Sequence, residues 1–191
     1  MKVRSFSHVA LTVSDFNRSV RFYADVFGCA LVGVNCNHSQ DRLRDFFGVD
    51  SADPELKIGW VRVPGGVTLE IFEFTPSVSG EPVVWNRPGP THISFNCRDT
   101  DRWHDYLVSR GVEILSPPER SPLGHSFFFV RDPDGNLIEM INIRYLRPVL
   151  RWLGPLGGFL LRRTRYRRFY RPSGRVPETA PRPAAHSSTH E

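Results

Sequence analysis

The chain has 191 residues, 40% of them hydrophobic and 24% charged, which is ordinary for a globular protein and allows one domain or two small modules sharing a core. No apolar run approaches the roughly 20 residues that span a bilayer. Residues 1–13 alternate polar and apolar side chains instead of forming a signal-peptide core, and the three cysteines form no CxxC pair. We therefore expect a cytoplasmic protein.

The net charge of +5 is unevenly distributed. Residues 1–143 carry 14 Lys or Arg against 18 Asp or Glu, a net charge of −4. Residues 144–191 carry 11 Arg against two Glu, a net charge of +9. The overall basicity is therefore no argument that the body of the protein binds nucleic acid.

Residues 1–74 predict a strand, a helix and three further strands. Alternation over residues 6–13 predicts the first strand, and Ser14-Asp15 offers a helix N-cap, with Gly28 as the stop. Apolar strands are predicted at 30–34, 58–63 and 67–74. Within an insertion at 35–57, residues 41–47 predict a short amphipathic helix, which suits either a pocket wall or a surface excursion.

A linker rich in Pro, Gly and Ser at 75–90 precedes a second copy of this plan at 91–143. His92 opens its first strand, and Asp99-Thr100 begins a helix that Gly111 ends. Strands are predicted at 112–115, 126–130 and 137–143. The fold class is therefore α+β, with two tandem βαβββ modules pairing into a cupped mixed sheet, because one copy alone cannot cover both sheet faces.

Residues 144–171 predict a basic amphipathic extension, and residues 172–191 predict a disordered tail. Between Arg144 and Arg175, ten arginines alternate with apolar and aromatic residues. Docking on the body or on a protein partner is the first interpretation, and peripheral attachment to an anionic membrane surface follows closely. Nucleic acid binding ranks last, because no recognisable nucleic acid module accompanies the arginines.

The most informative pattern is a duplicated pair of potential metal ligands. His8 precedes His92 by 84 residues, and Glu70 and Glu139 occupy equivalent final strands. A lone strand histidine is usually structural, and a glutamate between apolar neighbours usually faces water. Repetition of both in matching places instead favours four ligands, His8, Glu70, His92 and Glu139, on one divalent metal ion.

Strand alternation separates the side chains near this site. Glu70 shares its face with Thr68 and Phe72, whereas Glu73 points to the other side, as a solvent or rim carboxylate. Five phenylalanines are candidates for lining a cup, with core packing as the alternative: Phe72, Phe74, Phe95, Phe127 and Phe129. His125, at a loop-to-strand entry, is a candidate substrate contact.

Several motifs carry a resemblance to a known family. They are His-Val-Ala-Leu-Thr-Val-Ser-Asp at 8–15, Thr-His-Ile-Ser-Phe at 91–95 and Arg-Asp-Pro-Asp-Gly-Asn-Leu-Ile-Glu at 131–139. Residues 4–143 resemble the vicinal oxygen chelate superfamily, which includes glyoxalase I, epimerases, extradiol dioxygenases and bleomycin resistance proteins. The resemblance implies one divalent ion, Zn, Ni, Co, Mn or Fe(II), and a small-molecule substrate.

The fourth ligand position distinguishes the branches of this superfamily. Extradiol dioxygenases resemble the chain at His8, His92 and Glu139 but lack a ligand at Glu70, so a glyoxalase I-like lyase or isomerase is favoured. The resemblance implies proton transfer next to a metal-bound carbonyl, with Glu139 or Glu70 as catalytic base. A ring-cleaving dioxygenase and a non-catalytic ligand-binding protein are the alternatives. Whether the site forms within one chain or across a homodimer stays open.

Overall fold

The computed structural model describes residues 3–78, 80, 85–143, 146, 149 and 152–170. The chain divides into two compact units, Met1–Arg144 and Tyr145–Glu191. The predicted disordered tail, 172–191, lies outside the described residues. Within them, no helix is long and apolar enough to cross a membrane.

The first unit begins with a βαβββ module that carries one inserted helix. Its elements are β1 (His8–Thr12), α1 (Phe16–Phe27), β2 (Ala30–Asn37), α2 (Gln40–Phe47), β3 (Glu55–Arg62) and β4 (Thr68–Thr75). The strands form a sheet in the order β1-β4-β3-β2, in which β1 and β4 are parallel and the other pairs are antiparallel. The short helix predicted at 41–47 is confirmed as α2.

The second module repeats this topology without an inserted helix. Its elements are β5 (His92–Asn96), α3 (Thr100–Ser109), β6 (Glu119–Arg120), β7 (Ser126–Arg131) and β8 (Leu137–Asn142). The sheet order β5-β8-β7-β6, again with a parallel first pair, matches that of the first module strand for strand. The predicted α+β class with two tandem βαβββ modules is confirmed.

Helices α1 and α3 begin where capping chemistry predicts. The Asp15 carboxylate accepts a hydrogen bond from the Arg18 backbone N–H, and Asp99 accepts one from that of Arg102. These side chains satisfy donors that the first helical turn leaves unpaired. Gly28 ends α1 with φ of 67°, a left-handed conformation that other residues adopt only with strain.

The strand predicted at 112–115 is present only as a single bridge to β7. Ile114 forms only an isolated bridge with Val130, and the fourth strand of the second sheet is the two-residue β6. Pro117 and Pro118 lie between the two segments. Because proline has no backbone N–H, this pair cannot continue a ladder from residue 115 to residue 119.

One hydrophobic core joins the two modules. A single cluster has contributions from both sheets and from α1 and α3, and its almost fully buried members include Tyr23, Ile71, Phe128 and Met140. Phe27 of α1 reaches the second module, where its ring lies 4.8 Å from that of Phe95. Each sheet therefore turns its helix-covered face toward the shared core.

The turn between β7 and β8 joins the second module to α1 of the first module. The Tyr23 hydroxyl donates to Asp132 Oδ2 over 2.9 Å at a buried site. Asp134 accepts hydrogen bonds from Ser14, from Ser19 and from the Arg18 guanidinium. These charge-assisted contacts hold the modules in one arrangement.

The C-terminal unit contains α4 (Gly154–Arg163) and a 3₁₀ turn, η1 (Arg167–Tyr170). Pro155 occupies the first turn of α4, where its missing N–H leaves no helical hydrogen bond unmade. Arg162 and Arg163 lie in the last turn, where positive charge is favourable beside the carbonyl end of the helix dipole.

Candidate metal centre

The parallel pairing of β1 with β4 brings His8 to Glu70. Ala10 is the register partner of Glu70, and His8 lies two residues earlier, so both side chains project from one face of the sheet. His8 Nε2 is 3.2 Å from Glu70 Oε2. Trp60 is the partner of Glu70 on β3, and its indole meets the His8 ring edge-on, with centroids 5.2 Å apart.

The second module repeats this arrangement residue by residue. Ser94 is the register partner of Glu139, with His92 two positions earlier, and His92 Nε2 is 3.7 Å from Glu139 Oε2. Phe129 takes the place of Trp60 as the partner of Glu139. Its ring meets His92 edge-on, with centroids 5.4 Å apart. Each module therefore presents a His–Glu pair beside an aromatic ring.

The donor spacing fits two adjacent ligands of one small divalent cation. Imidazole nitrogen and carboxylate oxygen bind such cations at about 2.0–2.2 Å, which puts neighbouring ligand atoms roughly 3.0–3.5 Å apart in octahedral or tetrahedral geometry. The measured separations of 3.2 and 3.7 Å lie in or close to this range. Each pair therefore has the donor types, and about the spacing, of two neighbouring ligands of a metal ion.

Hydroxyl residues orient both imidazoles, and sequence analysis missed this role. Ser7 Oγ lies 3.0 Å from His8 Nδ1, and Thr91 Oγ1 lies 2.9 Å from His92 Nδ1. When the hydroxyl accepts the Nδ1 proton, the lone pair on Nε2 is free for a metal. The signal was present, since a hydroxyl residue precedes each histidine of the repeat.

One difference separates the two halves. The Ser94 hydroxyl donates to Glu139 Oε2 over 2.6 Å. The equivalent position opposite Glu70 is Ala10, which has no hydroxyl to offer. Glu70 is nonetheless the more enclosed carboxylate, with a side-chain exposure of 11% against 16% for Glu139.

The structure brings the four predicted ligands together as two pairs. His8 lies with Glu70, and His92 lies with Glu139. Among the residues that the structure describes, no group of three or more His, Cys, Asp or Glu side chains is placed to hold a metal. A single four-ligand centre therefore stays a prediction.

Aromatic residues border the glutamate-bearing faces. Register places Phe72 and Phe74 on the face of Glu70, and Phe127 and Phe129 on that of Glu139. Phe95 is different, because it pairs with the core residue Met140 and packs on Phe27. Four of the five candidates thus border these faces, and the fifth belongs to the core.

The insertion is more than a surface excursion. Phe47 at the end of α2 packs edge-on against Phe72 and Phe74, with centroid distances of 6.2 and 5.6 Å. Leu43 of the same helix is fully buried. Helix α2 therefore forms a wall on the Glu70 face. In the second module, a different residue borders the site, because the Trp85 ring contacts the rings of His92 and Phe129.

The expected environment of Glu73 is wrong, although its predicted face is right. It is partly buried, and it accepts hydrogen bonds from the Phe16 backbone N–H over 2.9 Å and from Lys57 Nζ over 2.8 Å. Phe16 is the first residue of α1, so Glu73 satisfies an unpaired donor at the helix start. Its role is structural, on the side away from Glu70.

His125 immediately precedes β7, and its backbone N–H donates to Ser121 Oγ while its carbonyl accepts from the Ser121 N–H. It lies four positions before Phe129, the partner of Glu139, which is a distance of about 13 Å along a strand. Substrate contact by His125 stays a prediction.

Comparison with known families accounts for the duplicated arrangement. The sequence model of the Glyoxalase/Bleomycin resistance protein/Dioxygenase superfamily matches residues 5–140. The chain belongs to this superfamily. The match covers both modules of the superfamily fold and ends before the C-terminal unit.

Curated relatives of this superfamily member include enzymes of different classes. The 2-epi-5-epi-valiolone epimerase of Actinomyces sp is 28% identical over 143 residues, which cover 71% of this chain and 78% of the relative. Lactoylglutathione lyase of Schizosaccharomyces pombe is 25% identical, over 78% of this chain and half of the relative. The metallothiol transferase FosB of Staphylococcus epidermidis is 25% identical, over 73% of this chain and 82% of the relative.

Solved structures of the superfamily share the fold. A glyoxalase family protein from Bacillus cereus superposes with a TM-score of 0.63 at 20% identity, covering 74% of this chain and 95% of that chain. A mutant of the fosfomycin resistance protein FosX from Listeria monocytogenes, complexed with Mn(II) and 1S,2S-dihydroxypropylphosphonic acid, gives 0.53 at 18% identity, covering 78% of this chain and 99% of that chain.

Proposed function

We propose that this protein is a metal-dependent enzyme that moves a proton next to a carbonyl group of a small molecule, as a glyoxalase-like lyase or isomerase. The observation that carries the proposal is the duplicated His–Glu pair, with Nε2–Oε2 separations of 3.2 and 3.7 Å at equivalent register positions. A bound divalent ion would supply a positive centre that polarises the substrate oxygen and stabilises negative charge developing on it.

The relatives support this reaction class without naming the substrate. An epimerase and lactoylglutathione lyase are among the enzymes similar to this chain. FosX, which shares the fold, was crystallised with Mn(II). A divalent metal and a reaction that rearranges a small molecule are therefore consistent with the relatives to which this chain is similar.

We assign different roles to the two glutamates. Glu139 is anchored by the Ser94 hydroxyl, which fixes the orientation of its carboxylate and suits a permanent ligand. Glu70 faces Ala10 instead and lacks this anchor, so its carboxylate is free to turn toward a substrate carbon. Glu70 is therefore the proposed base, and Trp60 and Phe72 keep water away from it.

We further propose that each metal site is completed by a second copy of the chain. The His–Glu pairs lie on the sheet faces opposite the shared core, so within one chain the two faces point away from each other. In a two-fold dimer built on these two faces, the first module of one copy would meet the second module of the other. This arrangement brings His8 and Glu70 to His92 and Glu139 of the partner subunit, twice per dimer.

The test combines metal content with proton exchange. Elemental analysis should find about one divalent ion per chain, and Glu139→Ala should lose it. Glu70→Gln should keep most of the metal yet abolish incorporation of solvent deuterium into α-hydroxy carbonyl compounds and the hemithioacetals of 2-oxoaldehydes, followed by NMR. Glu119→Gln, an exposed glutamate on β6, is the matched control and should change neither quantity.

Two results would contradict the proposal. Full metal content in the Glu139→Ala variant would remove Glu139 from the ligand set. Oxygen consumption with catechols by the metal-loaded protein would instead assign it to the ring-cleaving dioxygenases.

A further inference from the structure

The C-terminal unit lies outside the part of the chain that the superfamily explains, because the family match ends at residue 140. Between Arg144 and Arg175 the sequence has ten arginines and no Asp, Glu or Lys. The described residues of this segment include α4 and η1. The basic composition of this unit, opposite in sign to the net charge of the preceding residues, indicates a role separate from that of the superfamily modules.

Helix α4 and Leu153, the residue that precedes it, present an apolar stripe to solvent. At 100° per residue, four apolar side chains fall within an arc of about 120°, which is the width of a face that helices normally bury. Each is more than half exposed, at 52–60% of its full accessible surface: Leu153, Leu156, Phe159 and Leu160. The stripe is an unusual amount of clustered apolar surface for such a short helix.

An arginine cluster adjoins this stripe. Five exposed arginines lie within seven positions: Arg162, Arg163, Arg165, Arg167 and Arg168. Several stack on aromatic rings, with Arg163 3.6 Å from the Phe159 centroid and Arg162 4.8 Å from that of Tyr170. Stacking holds these guanidinium groups in place while their N–H donors stay available.

Three of these arginines line an open groove. Arg162, Arg163 and Arg167 surround a space of about 1010 Å³ that the Tyr170 ring also borders. Guanidinium groups that share one groove form a site for a phosphate group, because each binds two oxygens at once. The groove lies directly beside Phe159 of the apolar stripe.

We propose that the C-terminal unit binds the surface of an anionic lipid bilayer, with the apolar stripe at headgroup depth and the arginine cluster on lipid phosphates. A bilayer interface accommodates both features at once, since apolar side chains insert between headgroups whose charges attract arginine. Nucleic acid would engage the arginines but leave the leucines in water. At ten residues, or about 15 Å, α4 is too short to span a bilayer and lies in its plane.

Vesicle co-sedimentation of the full chain tests this proposal. We expect binding to phosphatidylcholine vesicles that contain about 30% phosphatidylglycerol, much weaker binding to pure phosphatidylcholine, and a decrease as salt rises above about 0.1 M. Leu156→Glu, which breaks the stripe, and the triple variant Arg162→Gln, Arg163→Gln and Arg167→Gln should each weaken binding on the order of tenfold or more.

Matched controls lie on the body of the protein. Leu123→Glu replaces a leucine that is 81% exposed there, and a triple variant at Arg21, Arg42 and Arg110, each changed to Gln, removes the same charge from exposed positions. Both should bind anionic vesicles like the unmodified chain. Metal content should be unchanged in every variant, which separates this surface from the His–Glu pairs.

Three results would overturn the proposal. The first is no binding to anionic vesicles at low salt. The second is unaltered vesicle binding by Leu156→Glu with full displacement by duplex DNA, which would assign the surface to nucleic acid. The third is an altered oligomeric state of the arginine variant without loss of vesicle binding, which would assign it to contact between copies of the chain.

Discussion

Asp134 shows how one side chain connects the two modules. Burial by itself raises the pKa of this carboxyl, but hydrogen bonds from the Ser14 hydroxyl and backbone N–H, from Ser19, and the nearby Arg18 charge outweigh that effect. Its pKa is therefore lower than the ordinary value. Every lowering partner belongs to the first module, whereas Asp134 belongs to the second, so the ionised carboxylate stabilises their junction.

This contact predicts a specific pH dependence of stability. Because the folded-state pKa of Asp134 is lowered, its contribution is present above the unfolded value of about 3.9 and is lost as pH falls through the folded value. Asp134→Asn should reduce the free energy of unfolding at neutral pH by roughly 1–3 kcal/mol. The difference from the unmodified chain should shrink below about pH 4, as measured by urea denaturation.

Asp53→Asn is the control, since Asp53 is an exposed loop residue and its change should alter stability little at any pH. A deficit for Asp134→Asn that stays constant from neutral pH to below about pH 3 would argue against the ionic origin of the contact.

At the scale of elements, the first residue of α1, Phe16, packs closely against the backbone of β3 at Gly59. A Cβ atom on Gly59 would fall 2.5 Å from Cζ of the Phe16 ring, whereas one on Gly33, on the adjacent strand β2, would have its nearest neighbour at 3.9 Å. The missing side chain at Gly59 allows the Phe16 ring to pack against the strand backbone.

The pair of glycines gives a matched prediction. Gly59→Ala should lower the free energy of unfolding by about 1–3 kcal/mol through overpacking against Phe16. Gly33→Ala should be neutral or stabilising by up to about 1 kcal/mol, because alanine fits there and restricts the unfolded chain. Chemical denaturation of both variants measures the difference, and equal effects would mean that Phe16 moves aside without cost.

Short-range sequence patterns predicted most helices and strands, but they did not predict how the two sheets pack against each other. Asp15 and Asp99 correctly predicted where two helices begin, because helix capping depends on only a few neighbouring residues. Alternation also showed which side of β4 carries Glu70. It did not reveal that the face of each sheet opposite its His–Glu pair packs into one shared core. Because of this packing, His8 and His92 belong to two separate His–Glu pairs. That choice depends on contacts between residues far apart in sequence.

At the scale of the whole molecule, the His–Glu pairs lie on sheet faces that point away from the shared core, so a metal site could be completed by a second copy of the chain. If each metal site is shared between copies, a chain with a defective first module still provides a sound second module to its partner. Sites contained within one chain would have no such property. The two arrangements therefore differ in mixtures of defective chains.

Complementation tests the shared site. One variant combines His8→Ala with Glu70→Ala, and the other combines His92→Ala with Glu139→Ala. Neither should bind metal alone. After unfolding and refolding an equal mixture, statistical pairing makes about half of the dimers mixed, each with one intact site, so metal content should recover to about a quarter of normal. No recovery, although mixed dimers form by mass spectrometry, would contradict the shared site.

The wall formed by α2 has a consequence for the orientation of a ligand in a shared site. Two halves built alike would give a cleft with approximate two-fold symmetry, in which a ligand fits equally well after a half-turn. Because α2 has no counterpart in the second module, a cleft shared between the two halves would have the Phe47 wall on one side only. We therefore expect a ligand in such a shared cleft to bind in one orientation, and not equally in two orientations related by a half-turn.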